Sequence, residues 1–179
     1  DMESFFAKEG HDIKKVISGE DSGYTPDIFK RADIIIGNLT VTEWRKKLME
    51  FVVLTPNRQI LVVKKEMKIL GIKELNGKKF ATVKYTTMEN TMKELEKKYN
   101  ISVEYIYTDK LIEMEKYVEE GKADFTIDDA ISAVMYIKTS KVLKIMFPVS
   151  NIEYIGWGVS KENKELASAI SKCIKKLDQ

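Results

Sequence analysis

Short apolar runs alternate with amphipathic stretches along most of the chain. Ala32–Ile36, Ile60–Val63, Phe80–Val83, Val103–Tyr107, Ala123–Ile127 and Val142–Met146 are mostly continuous runs rich in β-branched residues. Runs of that kind predict strands covered on both faces, where no polar alternation is required. The stretches between them carry helix signals. Thr25-Pro26-Asp27 places an N-cap before a proline at the first helical position. Met88, Met92, Leu95 and Tyr99 recur at helical spacing, and Asp109 is expected to cap a helix bearing Leu111, Met114, Tyr117 and Val118 that Gly121 ends. Leu166, Ala169, Ile170, Cys173, Ile174 and Leu177 mark a final amphipathic helix. Strands alternating with helices predict an α/β protein with mainly parallel sheets. Two extended segments, Gln59–Lys65 and Ile152–Ser160, are candidate crossings between two lobes.

Composition narrows the functional classes. A chain of 179 residues can hold one ordinary domain or two small lobes. Its net charge of +2 comes from interspersed Lys and Glu without a basic stripe, which speaks against a nucleic-acid partner. Cys173 is the only cysteine and is expected to be a small buried hydrophobe; His11 is the only histidine. No cysteine cluster, zinc site or histidine triad follows, so neither metal nor cofactor is expected. No apolar run approaches about 18 residues and there is no signal peptide, so a membrane association would be a tether only. Basic residues are nearly all Lys. The three arginines, Arg31, Arg45 and Arg58, therefore stand out, because the guanidinium offers a planar fork for a carboxylate.

In an open α/β sheet, ligands bind beyond the carboxyl ends of strands, at helix N-termini. Three loops answer to that position. After Ile36, the segment Gly37-Asn-Leu-Thr40-Val-Thr42-Glu-Trp-Arg45 offers Thr42 as a helix cap and Arg45 in the first turn. A first-turn cation opposes the helix dipole, which an anion held by Arg45 would offset; the alternative is a capped surface helix whose Arg reaches solvent. After Val83, Thr86 and Glu89 fit a capping box, and Thr86 and Thr87 offer hydroxyls. After Ile127 come Asp128 and Asp129, one expected to cap a helix and the other to hold a cation such as an ammonium. An arginine on one loop and a carboxylate on another suit a zwitterion.

These segments, taken in order, resemble the type II periplasmic solute-binding proteins, in particular the amino-acid-binding branch. The family pattern aspartate, hydrophobics, Gly-x-Thr-x-Thr-x-x-Arg, then a Phe, appears here as Asp33-Ile-Ile-Ile-Gly37-Asn-Leu-Thr40-Val-Thr42-Glu-Trp-Arg45 with Phe51. Leu75-Asn-Gly77-Lys78, Lys84-Tyr-Thr86-Thr87, Gly121-Lys-Ala-Asp124 through Asp129, and Gly156-Trp-Gly-Val-Ser-Lys161 continue it. The resemblance implies two α/β lobes joined by two hinge strands, spanning residues 1–62 plus 154–179 and residues 63–153, that close on a small solute. It implies that Thr40, Thr42 and Arg45 hold a ligand carboxylate with help from Thr86 and Thr87, and that Asp129 receives an ammonium. It further implies binding without chemistry, in the periplasm or outside the cell, as a membrane-anchored lipoprotein serving an ABC permease or as part of a membrane protein.

The chain departs from the family pattern in places. Asp1-Met-Glu-Ser-Phe-Phe-Ala-Lys reads as the first helix, so the family's first strand is expected to be missing, as is the helical tail after Leu177. Thr86 stands where the family has glycine, and Phe51-Val-Val-Leu-Thr-Pro56 lacks the usual pocket tyrosine. Thr55-Pro-Asn-Arg58-Gln59-Ile-Leu-Val and Ile155-Gly-Trp157-Gly-Val resemble the version attached to lytic transglycosylases. A sensing module of such an enzyme or of a histidine kinase is therefore the alternative function. A dehydratase-like enzyme on the same fold would need a pocket acid of perturbed pKa, for which only Glu43 and Asp128 are at hand.

Overall fold

The computed structural model describes Phe29 and residues 32–177. The helices expected at the start of the chain and after Thr25, together with His11 and Arg31, lie outside these residues. The chain forms two compact units, the first ending at Thr55 and resuming at Tyr154, the second running from Pro56 to Glu153.

In the first unit, strands β1 (Ile34–Thr40), β2 (Met49–Asn57) and β8 (Glu153–Ser160) form a sheet in the order β1-β8-β2. β1 and β8 are antiparallel, pairing Ile35 with Gly158 and Thr40 with Ile155 across a bulge. The short helix α1 (Glu43–Leu48) follows β1, and the terminal helix α5 (Lys164–Leu177) sets Leu166, Ala169, Ile170 and Ile174 against Val52 and Val159. Cys173 is buried, as its helical position suggested. β1 extends past Ile36, so Thr40 ends a strand rather than sitting in a loop. β2 had no counterpart among the sequence expectations.

The second unit is a five-stranded sheet in the order β5-β4-β6-β3-β7, from β3 (Gln59–Lys64), β4 (Lys79–Thr82), β5 (Glu104–Tyr107), β6 (Phe125–Asp129) and β7 (Leu143–Pro148). β4 is parallel to β5 and β6, while β3 is antiparallel to β6 and β7. The sheets are thus mixed, not mainly parallel, because β3 enters the sheet against the direction of the strands that follow helical connections. β3 also moves the first boundary. Both its edges are paired and Gln59–Val63 are buried, so it is the interior of the second unit, and the chain crosses at Thr55–Pro56 instead of after residue 62.

Helices cover the two faces of this sheet. Leu61 and Val63 of β3 join Phe80, Phe125 and Ile127 in one core with Met88, Met92 and Leu95 of α2 (Thr87–Tyr99). Ile60 and Val62 join a second core with Met114 and Val118 of α3 (Ile112–Glu119) and Ala133 of α4 (Ala130–Ile137). Alternate residues of one strand thereby serve opposite layers. Asp109 does not cap α3: the Glu113 carboxylate collects the amides of Asp109 and Lys110 instead. Gly121 takes φ +75° just beyond the helix, where an L side chain is disfavoured. Among the described residues no helix is long and apolar enough to cross a membrane.

β2 and β8 approach closely at Gly156, where an added Cβ would collide with the Val52 carbonyl oxygen, whereas Gly37 has open space around it. Gly156→Ala is expected to destabilise the fold by about 1–3 kcal/mol in denaturant titrations, and Gly37→Ala by less than about 0.5 kcal/mol. Equal effects of the two substitutions would contradict this packing.

Candidate functional site

In the first unit, the residues after β1 are held around Arg45. Thr42 is the N-cap of α1, its hydroxyl accepting from the Arg45 amide at 3.3 Å. The Arg45 side chain is buried, 6% exposed, and its Nη1 donates to the Thr40 carbonyl at 2.9 Å. Its guanidinium lies 5.3 Å from the centre of the Trp44 ring. The reading of Arg45 as an arginine that simply reaches solvent therefore fails: a buried guanidinium tied to backbone is oriented, and orientation is what a two-pronged carboxylate contact requires. The dipole argument for this loop loses its force, since α1 has only 6 residues and Arg45 belongs to its last turn as well as its first. Glu43 is exposed and pairs with Lys46 at 2.7 Å, which holds its carboxyl below the ordinary value, so it is a solvated first-turn carboxylate and not a pocket acid.

In the second unit, the start of α2 and the end of β6 lie on the same layer. Thr86 is the N-cap of α2; its hydroxyl accepts from the Glu89 amide at 3.2 Å and donates to the Val83 carbonyl at 2.8 Å. Glu89 completes the box by accepting from the Tyr85 amide at 2.6 Å, one residue before the cap. The structural reading of this pair accounts for the Thr86 hydroxyl, whose single proton is committed to Val83. The loop takes its left-handed step at Tyr85, φ 64°, and Thr86 at φ −87° is unstrained. The glycine that Thr86 replaces is thus not missed for its backbone freedom, and the strain sits on an exposed tyrosine. Thr87 opens the helix, its hydroxyl 3.6 Å from the Met88 sulfur.

The two aspartates separate by strand alternation. Asp129 stands at the N-cap position of α4, but its side chain makes no cap bond. The cap is Asn57, whose Oδ1 accepts from the Ala130 amide at 3.1 Å while its Nδ2 donates to Asp129 Oδ1 at 2.7 Å. Asn57 thus orients the Asp129 carboxylate. Sequence reasoning passed over it, because its partners are 72 and 73 residues away and no local pattern marks it. Asp128 points into the other layer, where it meets Glu115 of α3. Burial and the neighbouring Glu115 carboxyl push Asp128 up to about 9, and burial raises Glu115 as well. Two carboxyls so placed share a proton. Glu119, on the same helix, accepts from Tyr136 and Ser140. Among the described residues no group of three or more His, Cys, Asp or Glu could hold a metal.

The shared proton gives a pH signature. The folded protein holds it above the ordinary carboxyl range, so the stability that the pair allows at acid pH is lost as pH rises from about 4 through about 9. Asp128→Asn keeps an oxygen for the Asp129 amide and donates permanently to Glu115. It should flatten the fall in melting temperature across this range and raise the melting temperature at its alkaline end. Parallel pH curves for wild type and variant would contradict the shared proton.

Comparison with known proteins agrees with this architecture. The family model described as bacterial extracellular solute-binding proteins, family 3, matches residues 28–179. The arginine-binding extracellular protein ArtP of Bacillus subtilis (strain 168) is 26% identical over 175 residues, covering 96% of this chain and 68% of ArtP. The arginine-bound form of a truncated ArgBP from T. maritima superposes with a TM-score of 0.81 at 26% identity, covering 98% of this chain and 82% of that one. The substrate-binding protein of an amino acid ABC transporter gives a TM-score of 0.85 at 25% identity, covering 99% and 79%. The chain belongs to family 3 of the bacterial extracellular solute-binding proteins.

Proposed function

We propose that this chain is an extracytoplasmic binding domain for a small zwitterionic or carboxylate solute, an amino acid with arginine the first to test, and that it delivers its ligand to an ABC permease. The observation that carries the reading is Arg45: a buried guanidinium fixed by the Thr40 carbonyl, on the segment that in this family is expected to hold a carboxylate. The first unit supplies a cation for the ligand's carboxylate, with Thr40, Thr42 and Arg45 as the binding group. The second supplies Asp129, oriented by Asn57, for its ammonium, with Thr87 and the first-turn amides of α2 as further polar groups. Thr86 contributes by building that loop. The relatives named above, which are described as binding arginine or serving amino acid transport, support the ligand class and the transport role.

A binding role without chemistry is favoured over a dehydratase-like one by the position of Asp128. It is the one carboxyl whose proton is held near neutral pH at the end of β6, and it lies in the layer with Glu115, away from Asp129 and α2. The sensing role retains the support of two segments, Thr55-Pro-Asn-Arg58-Gln59-Ile-Leu-Val and Ile155-Gly-Trp157-Gly-Val, that resemble transglycosylase-attached domains. A permease gene beside this one favours transport, and a kinase or lysozyme-like domain on the same polypeptide favours sensing.

Titration calorimetry against the common amino acids tests the reading. Wild type should bind arginine or another amino acid. Arg45→Ala should weaken binding by about 2–5 kcal/mol, and Arg45→Lys, which keeps the charge and loses the fork, by a large part of that. Silence of wild type towards every amino acid, or unchanged affinity in Arg45→Ala, would overturn it.

A further inference from the structure

We infer that Gln59 is a further ligand-contacting and specificity-determining residue of the second unit, its carboxamide oxygen accepting an N–H of the same ammonium that Asp129 pairs. The inference rests on the amino-acid-binding reading above and goes beyond it by naming a residue on a strand that the family comparison leaves without a role.

Gln59 opens β3 and is 0% exposed, yet neither its Oε1 nor its Nε2 has a hydrogen-bond partner. Its backbone is fully engaged: the amide donates to Ser150 Oγ at 2.9 Å and the carbonyl accepts from Val149 at 2.8 Å. The strand therefore needs nothing from the side chain. The next two positions on the same face of β3, Leu61 and Val63, are apolar and belong to the α2 core. A third apolar residue would extend that row, so the carboxamide is a polar group kept where packing alone selects against one. Buried amides left without partners are rare, and they collect where a ligand completes them.

Register says which ligand group is within reach. Gln59 and Asp129 are paired residues of β3 and β6. Side chains of such a pair leave the same face of the sheet with Cβ atoms about 4.5–5.5 Å apart. The rows 63-61-59 and 125-127-129 thus run out together, at the end where Met88 and Thr87 begin α2. Asn57 occupies one oxygen of Asp129 from the side. An ammonium has three N–H donors; one directed to Asp129 leaves another for an acceptor one strand over, and Oε1 of Gln59 is that acceptor.

The test uses Gln59→Met, which keeps volume and unbranched shape while removing the amide. Calorimetry with L-arginine and with Nα,Nα-dimethyl-L-arginine, whose ammonium keeps a single N–H, is paired with thermal melts of the ligand-free protein. The ligand-free melting temperature should hold or rise, since a partnerless buried amide is lost, while arginine affinity falls by about tenfold. The preference for arginine over its dimethyl analogue, which has no second N–H for Gln59, should shrink in the variant, a change that a merely structural role would not produce. Arginine affinity within about twofold of wild type, or a lower melting temperature with an unchanged analogue preference, overturns the role of Gln59 and leaves the binding reading standing. Wild type that binds no amino acid overturns both.

Discussion

Asn57, Gln59 and Asp129 come together because β3 is threaded antiparallel between β6 and β7, pairing Gln59 with Asp129 and Val63 with Phe125. Fixing that register fixes everything else in the second unit. It sends Leu61 and Val63 to the α2 layer and Ile60 and Val62 to the layer of α3 and α4. It brings Asn57 to the turn where β6 becomes α4, so that one carboxamide both caps the helix and holds a carboxylate. A slip of one residue in β3 would exchange its faces, sending Ile60 and Val62 to the α2 layer and Gln59, Leu61 and Val63 to the other.

The same alternation divides labour between adjacent aspartates. Asp129 faces the layer that opens at the α2 N-terminus and accepts from the Asn57 carboxamide. Asp128 faces the other way, is denied water, and shares a proton with Glu115. Two neighbours in sequence thus meet different partners because a strand turns successive side chains to opposite environments. In the first unit Arg45 gains its buried orientation from a shorter device, a six-residue helix whose cap and whose preceding strand end are both threonines.

Much of this was readable from the residues. The apolar runs marked β3 to β7, the Met88-Met92-Leu95 spacing marked α2, and the Gly37-to-Arg45 segment marked the arginine. What escaped reading acts at a distance or against local pattern. Phe51-Val-Val-Leu-Thr55 has the composition of a strand, but α1 runs directly into it and Pro56 lies within β2, which masked it. The apolar run Ile60–Val63 marked a strand covered on both faces, but its place as an interior strand rather than a crossing between lobes shows only in its pairing on both edges. Asn57 carries no local signal, since its role exists only once the sheet has formed. The Thr86–Glu89 box was legible, but the loop's strained residue is Tyr85, whose left-handed backbone no spacing rule indicates.

Central to the proposed function are Arg45 as the group for the carboxylate of an α-amino acid and Asp129 as the group for its ammonium. Calorimetric titration of the wild-type protein with L-arginine, agmatine and 5-guanidinopentanoate compares the zwitterion with the same molecule stripped of one group or the other. The account predicts binding of L-arginine and affinities lower by about a hundredfold for both analogues. Affinity for either analogue within a few-fold of arginine would contradict it.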